Sequence, residues 1–136
     1  MSEANKQIVR RFIDEVWNQA RLEVADELVH PLYENNEGAG PEAVKRNVRA
    51  FKSAFPDLHD SIEALIAEGD FVAARVTRSG THLGTFRDVY EASGRAMSIT
   101  ELCLWRIEDG KLREGWFAAH EISLRKQLGV IPESLR

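Results

Sequence analysis

The feature that most constrains the fold of this chain is an Asp-Gly pair near its C-terminus. Asp109 and Gly110 separate two runs that are rich in β-branched and aromatic residues, 97–107 and 112–121. Asp-Gly between two such runs is the strongest short-range signal for a β-hairpin. The sequence therefore predicts two long antiparallel strands in the last third of the chain.

The loop also predicts which side chains of this hairpin share a face. If Asp109 and Gly110 form the whole loop, Glu108 pairs with Lys111 and the pairing continues residue by residue along both strands. One predicted face then carries Glu101, Cys103, Trp105, Glu114, Trp116, Ala118 and His120. Aromatic rings beside ionisable groups are typical of a ligand pocket, so this face is interpreted as a pocket wall.

The composition is that of an ordinary globular protein. The 136 residues carry a formal net charge of −4, and 43% of them are hydrophobic. We expect one domain over residues 1–136, which is long enough to bury a core. A mildly acidic chain offers no footprint for nucleic acid or for an anionic membrane, so neither is predicted as a partner.

Cysteine usage and the N-terminus bear on location. The single cysteine, Cys103, excludes an intrachain disulfide and fits a reducing compartment. Its place in a strand predicts a small buried side chain rather than a nucleophile. Neither a signal peptide nor an apolar run long enough to cross a membrane is recognised, so a cytoplasmic location is expected.

The first part of the chain predicts three helices. Apolar residues recur at three- and four-residue steps between Ser2, a candidate N-cap, and Trp17. A second, short helix is predicted over residues 22–29, before Pro31. A third begins at Pro41 and runs to about Ala54. The period then changes to two over residues 58–67 and 71–81, which predicts a second hairpin.

Helices followed by antiparallel strands favour an α+β domain in which the helices pack on one side of a curved sheet. The other face of the sheet also carries apolar residues in the predicted register, namely Leu102, Leu104 and Phe117. An apolar face without a helical cover needs a partner, and a second copy of the chain is the simplest one. A homodimer through the sheet is therefore predicted.

Several short stretches, in their order along the chain, carry a family resemblance. They are residues 12–18, 54–58 (Ala-Phe-Pro-Asp-Leu), 68–70 (Glu-Gly-Asp), 75–86, 106–111, 114–116 (Glu-Gly-Trp) and 127–129 (Gln-Leu-Gly). Together they resemble the SnoaL-like polyketide cyclases, within the superfamily of nuclear transport factor 2 and ketosteroid isomerase. The resemblance implies a cone-shaped α+β barrel, with three N-terminal helices over a curved antiparallel sheet and a deep apolar cavity.

The resemblance also implies a catalytic position. In these cyclases an aspartate shortly after the tryptophan of the last strand is the general acid/base of an aldol closure, and His120 occupies the matching position here. A histidine can transfer protons near neutral pH. On the predicted hairpin Glu101 lies diagonally across from His120 and could orient its ring. We predict His120 and Glu101 as a catalytic pair; the alternative is a histidine that is merely hydrogen-bonded or solvated.

Seven further residues complete the prediction as ligand contacts: Trp105, Trp116, His82, Phe12, Trp17, Asn35 and Arg75. The aromatic side chains could stack on a planar ligand or close the cavity. His82 follows a Gly-Thr pair that the resemblance places near the cavity, and Asn35 lies in a turn-rich segment. Arg75 alternates with apolar residues and could bind a carboxylate or a carbonyl oxygen. Core packing, a structural hydrogen bond or a surface position is the alternative for each.

No metal or cofactor is expected. The four histidines lack the spacing of known metal motifs, and the chain holds no Cys-x-x-Cys, dinucleotide fingerprint or nucleophile elbow. The resemblance to the SnoaL-like cyclases supplies the reaction class, so the leading hypothesis is a cofactor-free acid/base enzyme that performs enolisation, aldol cyclisation or isomerisation on a small, apolar carbonyl compound. A non-catalytic carrier of a small hydrophobic molecule is the alternative, and a dimerising scaffold with a filled cavity is the third.

Overall fold

Helices and strands form two layers in the computed structural model, which describes residues 2–35, 38–132 and 134. The helices are α1 (Ser2–Arg11), α2 (Glu23–Leu28), α3 (Gly40–Ala54) and α4 (Glu121–Leu128). The strands are β1 (Val29–Asn35), β2 (Gly38–Ala39), β3 (His59–Glu68), β4 (Phe71–Thr81), β5 (Ala96–Glu108) and β6 (Lys111–Ala119). The predicted α+β class is confirmed, and both predicted hairpins are present.

Helix α1 continues without a break into a π-helical segment, Phe12–Asn18. Its wider turns join each amide to a carbonyl five residues back, as in the 3.0 Å bond from the Gln19 amide to the Asp14 carbonyl oxygen. Short π segments within helices often mark functional sites. Here the segment turns buried Phe12 and Ile13 toward the inner face of the sheet.

The six described strands form one curved, unclosed sheet in the order β2-β1-β6-β5-β4-β3. Strands β3 to β6 pair antiparallel, as predicted. Strand β1 instead pairs parallel to β6, through Val29 with Leu112 and Glu34 with Glu114. The predicted curved antiparallel sheet is therefore present in β3 to β6, and the β1 edge adds a parallel pairing that was not predicted. Strands β1 and β2 come from residues that the sequence assigned to a helix end and a turn-rich segment.

A bulge in the last hairpin changes which side chains face inward. Next to the turn the pairing is as predicted, with Ile107 opposite Leu112. Arg113 then has no residue opposite it on β5, and the next pair is Arg106 with Glu114. Successive side chains of a strand point to opposite faces, so one extra residue sends every later β6 side chain to the other face.

The predicted face of β6 was therefore wrong beyond the bulge. Trp105 lies opposite Gly115, Cys103 opposite Phe117 and Glu101 opposite Ala119, while Leu104 lies opposite Trp116. Phe117, which was expected on the outer face, lines the inner face. Trp116 takes its place outside, where it is 46% exposed.

The helices cover the inner face with apolar side chains. Val9, Phe12 and Val16 of the first helical stretch pack in one cluster with Val72 and Trp105 of the sheet. A second cluster joins the end of α3 to α4 through residues that include Phe55, Phe86, Ile99, Leu124 and Leu128. None of the helices in the described chain has the length and apolar character needed to cross a membrane.

Candidate active site

A cavity of about 360 Å³ lies between the inner face of the sheet and the helices. Its aromatic lining residues are Phe12, Trp17, Tyr33, Phe51, Trp105 and Phe117. Its polar lining residues are Asn35, Asn47, Asp60, Arg78, Arg87, Glu101, Cys103 and Glu121. The site thus combines aromatic walls with a small number of charged groups, as small-molecule sites do.

Glu101 presents a carboxylate to this cavity from the middle of β5. In the described part of the chain, no Lys, Arg or His nitrogen lies within 4.0 Å of that carboxylate. Its hydrogen-bond partner is the thiol of Cys103, with 3.4 Å between Sγ and Oε1. Burial, followed by the charge of Glu101, raises the pKa of this thiol. The thiol therefore stays protonated and donates to the carboxylate.

Asp60 and Arg78 form an ion pair on the cavity floor. They lie directly opposite each other on β3 and β4, and Nε and Nη2 of Arg78 donate to the two carboxylate oxygens of Asp60 at 2.8 Å each. Both side chains are buried. Burial alone would lower the pKa of Arg78, but the hydrogen bonds and charge of Asp60 outweigh it and raise that pKa.

Two further contacts hold this pair in place. The guanidinium carbon of Arg78 lies 4.4 Å from the ring centre of Trp17 and 4.8 Å from that of Phe51. The side chain of Asn18 donates to the Asp60 carbonyl oxygen at 2.9 Å and accepts the Asp60 amide at 2.7 Å. The end of the π-helical segment is thereby fastened to β3 beside the ion pair.

A second ion pair lies at the rim of the cavity. Arg87, from the segment between β4 and β5, donates from both Nη atoms to Glu121 of α4, at 3.0 and 2.8 Å. The hydrogen bonds from Arg87 lower the pKa of Glu121. Both side chains are about one-third exposed or more, so solvent screens this pair far more than the buried pair on the floor.

The structure brings five of the predicted site residues together at the cavity: Glu101, Trp105, Phe12, Trp17 and Asn35. It places the other four elsewhere: His120, Trp116, His82 and Arg75. Trp116 is on the outer face because the bulge at Arg113 reverses the faces of the later β6 side chains. Arg75 is exposed on the outer face because it alternates with Ala74 and Val76, which face inward.

His120 lies just beyond the end of β6, and its side chain is exposed. Its backbone amide donates to the Thr100 carbonyl oxygen at 3.2 Å, and the residue precedes the first turn of α4. The expected position of its ring, on the cavity wall beside Glu101, was therefore wrong. The carboxylate of the next residue, Glu121, reaches the cavity instead.

His82 is fully buried but does not line the cavity. Its ring stacks on Phe55 with 5.4 Å between the ring centres, and Nδ1 lies 2.9 Å from the Ser93 hydroxyl and accepts the Ser93 amide at 3.2 Å. Its backbone also bonds to Gly94 and Arg95. His82 therefore joins the two ends of the 82–95 segment by hydrogen bonds. This agrees with the alternative given for His82 in the sequence analysis, a structural hydrogen bond rather than a ligand contact.

Sequence reasoning missed the ion pair on the floor. A signal for Arg78 was available, because Arg78 continues the inward row of Val72, Ala74 and Val76 at a spacing of two. Its partner Asp60 is the first buried residue of β3. Nothing in the local sequence of β3 indicates that pairing, which depends on the register between the two strands.

Comparison with known proteins places this geometry in a family. The profile of the SnoaL-like polyketide cyclases matches residues 7–128, which is most of the chain. The chain belongs to this family. It is 31% identical over 130 residues to aklanonic acid methyl ester cyclase DnrD of Streptomyces peucetius, an alignment that covers 90% of this chain and 88% of that protein.

Solved structures show that the fold of this chain is shared. TsrD from Streptomyces laurentii superimposes with a TM-score of 0.86 at 28% identity, covering 95% of this chain and 97% of that one. A SnoaL-like polyketide cyclase from Agrobacterium tumefaciens, at 22% identity, shares the fold with a TM-score of 0.80, covering 92% and 98%. Family membership supports an enzyme of the cyclase or isomerase type.

Proposed function

We propose that this chain is a cofactor-free cyclase- or isomerase-type enzyme whose general base is Glu101. The proposal is carried by one observation: Glu101 is a cavity carboxylate that has no Lys, Arg or His nitrogen within 4.0 Å among the described residues. A carboxylate that is not held by an arginine or lysine keeps its capacity to accept a proton. The carboxylates of Asp60 and Glu121, in contrast, are both engaged by arginines.

The proposed substrate is a small, largely apolar carbonyl compound. The volume of about 360 Å³ is at the lower end of the range of ligand pockets. The aromatic walls favour a flat, apolar body. The few charged groups of the floor lie where a carbonyl function could be bound.

The proposed chemistry moves protons and electron pairs within the substrate alone. Glu101 takes a proton from the carbon next to a carbonyl, and the electron pair of that C–H bond moves toward the carbonyl oxygen to give an enolate. In a cyclase the enolate carbon then forms a C–C bond with a second carbonyl of the same molecule, and that carbonyl oxygen takes up the proton. In an isomerase the proton returns to a different carbon.

His120 was predicted as the base and Glu101 as its orienting partner. The exposed ring of His120 gives no support for proton transfer inside the cavity, whereas Glu101 lies on its wall. We therefore assign the base to Glu101.

The single buried thiol, Cys103, remains in keeping with the expected cytoplasmic location.

A carrier of a small hydrophobic molecule is the second candidate. It is favoured by the exposed His120 at the position that matches the aspartate of the cyclases. A carrier would use the aromatic walls without proton transfer. The two functions differ in a measurable way, because only the enzyme exchanges protons on a bound ketone.

The test uses 2-tetralone, a bicyclic ketone with acidic protons next to its carbonyl, in heavy water. The wild-type protein should accelerate deuterium incorporation at those carbons, as followed by proton NMR. Glu101→Gln should reduce the rate by about two to four decades, the usual effect of removing a positioned base. Glu114→Gln is the matched control, because Glu114 is on the same hairpin, outside the cavity, and bonded to Arg106.

Equal exchange rates for the wild-type protein and Glu101→Gln would contradict the assignment of the base. Binding of 2-tetralone without any accelerated exchange would favour the carrier. Binding is followed separately by the quenching of tryptophan fluorescence, since Trp17 and Trp105 line the cavity.

A further inference from the structure

We infer that Arg78 is a second catalytic residue, whose guanidinium binds the substrate oxygen that becomes negative when Glu101 removes the proton. This inference rests on the proposed function. It assigns a donor for the oxyanion that forms in the proposed reaction. Its basis is the arrangement of three charged side chains on the inner face of the sheet.

Asp60, Arg78 and Glu101 form a row across three neighbouring strands. Asp60 pairs with Arg78 between β3 and β4, and Arg78 pairs with Ile99 between β4 and β5, two residues before Glu101 on the same face. Arg78 and Glu101 are therefore diagonal neighbours, a relation that long side chains span. A base and a donor in this arrangement can act on the two ends of one carbonyl group and its adjacent carbon.

Arg78 keeps donors available for a ligand. Asp60 accepts from Nε and Nη2, and among the described residues Nη1 has no hydrogen bond. A guanidinium carries five N–H groups, so the ion pair leaves at least two of them unused. The residue is only 5% exposed and lines the cavity, so a ligand in the cavity is the available partner for these donors.

The donor is also held in place before any ligand binds. Asp60 fixes the plane of the guanidinium with two hydrogen bonds, and the rings of Trp17 and Phe51 lie against it. Asn18 fixes the main chain of Asp60 in turn. A donor that is preorganised at the position of developing charge lowers the barrier without reorganisation during the reaction.

The other arginine of the cavity does not meet these conditions. Arg87 lies at the rim, is 39% exposed in its side chain, and pairs with Glu121. Water competes for its donors and screens its charge. Of the two arginines, Arg78 is therefore the one that can stabilise an oxyanion inside the cavity.

The test uses 2-naphthol, whose anion has the shape and charge of the enolate of 2-tetralone, and naphthalene, which lacks the oxygen. Binding of each is measured by fluorescence at a pH at which free 2-naphthol is ionised. Enolate-like anions bind more tightly to a site that is complementary to the transition state. Arg78→Lys should weaken binding of the naphtholate by about ten- to hundredfold and that of naphthalene by less than about threefold, because a lysine cannot reproduce the planar fork.

Arg75→Lys is the matched control, because Arg75 is on the same strand but exposed on the outer face. It should leave both affinities unchanged. The double variant Asp60→Asn with Arg78→Gln removes both charges together, which avoids a buried unpaired carboxylate, and should also lose the preference for naphtholate. It decides the question if Arg78→Lys does not fold.

Naphtholate binding at wild-type strength in both Arg78 variants would overturn the inference, as would a wild-type protein that does not bind naphtholate. The role of Glu101 is tested separately. Glu101→Gln should abolish exchange on 2-tetralone but strengthen naphtholate binding, since it removes a like charge from the cavity. If Glu101→Gln exchanges normally while Arg78→Lys loses naphtholate, the proposed base is wrong and the oxyanion site stands.

Discussion

The two faces of the last hairpin are built from the same two strands but have different surroundings. The inner face carries Glu101, Cys103 and Trp105 opposite Phe117, under a cover of helices. The outer face carries Leu104 opposite Trp116, and these side chains are 37% and 46% exposed. Each face carries a tryptophan, so a tryptophan alone does not distinguish the cavity wall from the outer surface. The two faces differ because the described helices cover only the inner one, where Trp105 lies in the same cavity as the Glu101 carboxylate.

One residue controls that difference. Arg113 is the unpaired residue of the bulge, and without it Trp116 and Phe117 would exchange faces. Its guanidinium donates to the Leu32 carbonyl oxygen of the neighbouring strand at 2.7 Å, which ties the bulge to the β1 edge. A bulge beside a site commonly redirects a side chain in this way.

Deletion of Arg113 should have the largest effect on the folded state. It would turn Trp116 into the space that Phe117 fills and turn Phe117 outward, so we expect a loss of several kcal/mol in the free energy of unfolding, measured by urea denaturation. Arg113→Ala keeps the extra residue and should cost about 1 kcal/mol or less. Equal stability of the deletion and Arg113→Ala would show that the bulge does not set the register.

The bulge also explains how far the sequence could predict the site. Alternation along β5 correctly placed Glu101 and Trp105 on the inner face, because nothing interrupts that strand. The Asp-Gly loop correctly predicted the pairing next to the turn. The faces of Trp116 and Phe117 were not predictable from alternation, since Arg113 carries no glycine or proline signal for an extra residue.

Long-range pairing limited the rest of the prediction. The helices and the two hairpins follow from local periodicity and turn residues, and they are present as expected. The parallel pairing of β1 with β6 joins segments that are far apart along the chain, and local sequence does not indicate it. The ion pair of Asp60 with Arg78 likewise depends on strand register.

Replacing each hairpin tryptophan by alanine should lower the free energy of unfolding by different amounts, because one tryptophan is buried on the inner face and the other is partly exposed on the outer face. Trp105 is 2% exposed and packs edge-on against Phe12 and Phe117, so Trp105→Ala should cost about 3–5 kcal/mol. Trp116→Ala should cost about 1 kcal/mol or less at concentrations at which the chain is monomeric. Both values come from urea denaturation, and similar losses for the two variants would contradict the assignment of the faces.

The outer face also supports the proposal of a homodimer. Leu102, Leu104, Trp116 and Phe71 are each more than one-third exposed on the sheet, and no helix of the described chain covers them. A charge in such an interface is unfavourable, so Leu104→Asp should weaken association at least about tenfold, which corresponds to about 1.4 kcal/mol. Sedimentation velocity measures this directly.

The control for this experiment is Leu83→Asp, since Leu83 is 59% exposed but lies outside the sheet. It should associate like the wild-type protein. A wild-type protein that sediments as a monomer at micromolar concentration would refute the homodimer and leave the exposed outer face without an assigned partner.

The smallest expected effect concerns the rim of the cavity and its pH dependence. The pKa of Glu121 is lowered from its ordinary value of 4.5 by the hydrogen bonds from Arg87. The unfolded chain therefore binds this proton more readily than the folded one. The stabilisation is complete above the pKa of the unfolded state and is lost as the pH falls through the lower pKa of the folded state.

Glu121→Gln should accordingly be less stable than the wild-type protein at pH 7, by about 1 kcal/mol or less because the pair is partly exposed. The difference should begin to shrink as the pH falls below 4.5 and approach zero below the lower pKa of the folded wild-type protein, where the carboxyl is neutral in both states. Glu91→Gln, at an exposed position, should show no such trend. A difference that stays constant from pH 7 to the acid side would mean that the ion pair does not stabilise the rim, and that the enclosure of the inner face depends on its apolar packing alone.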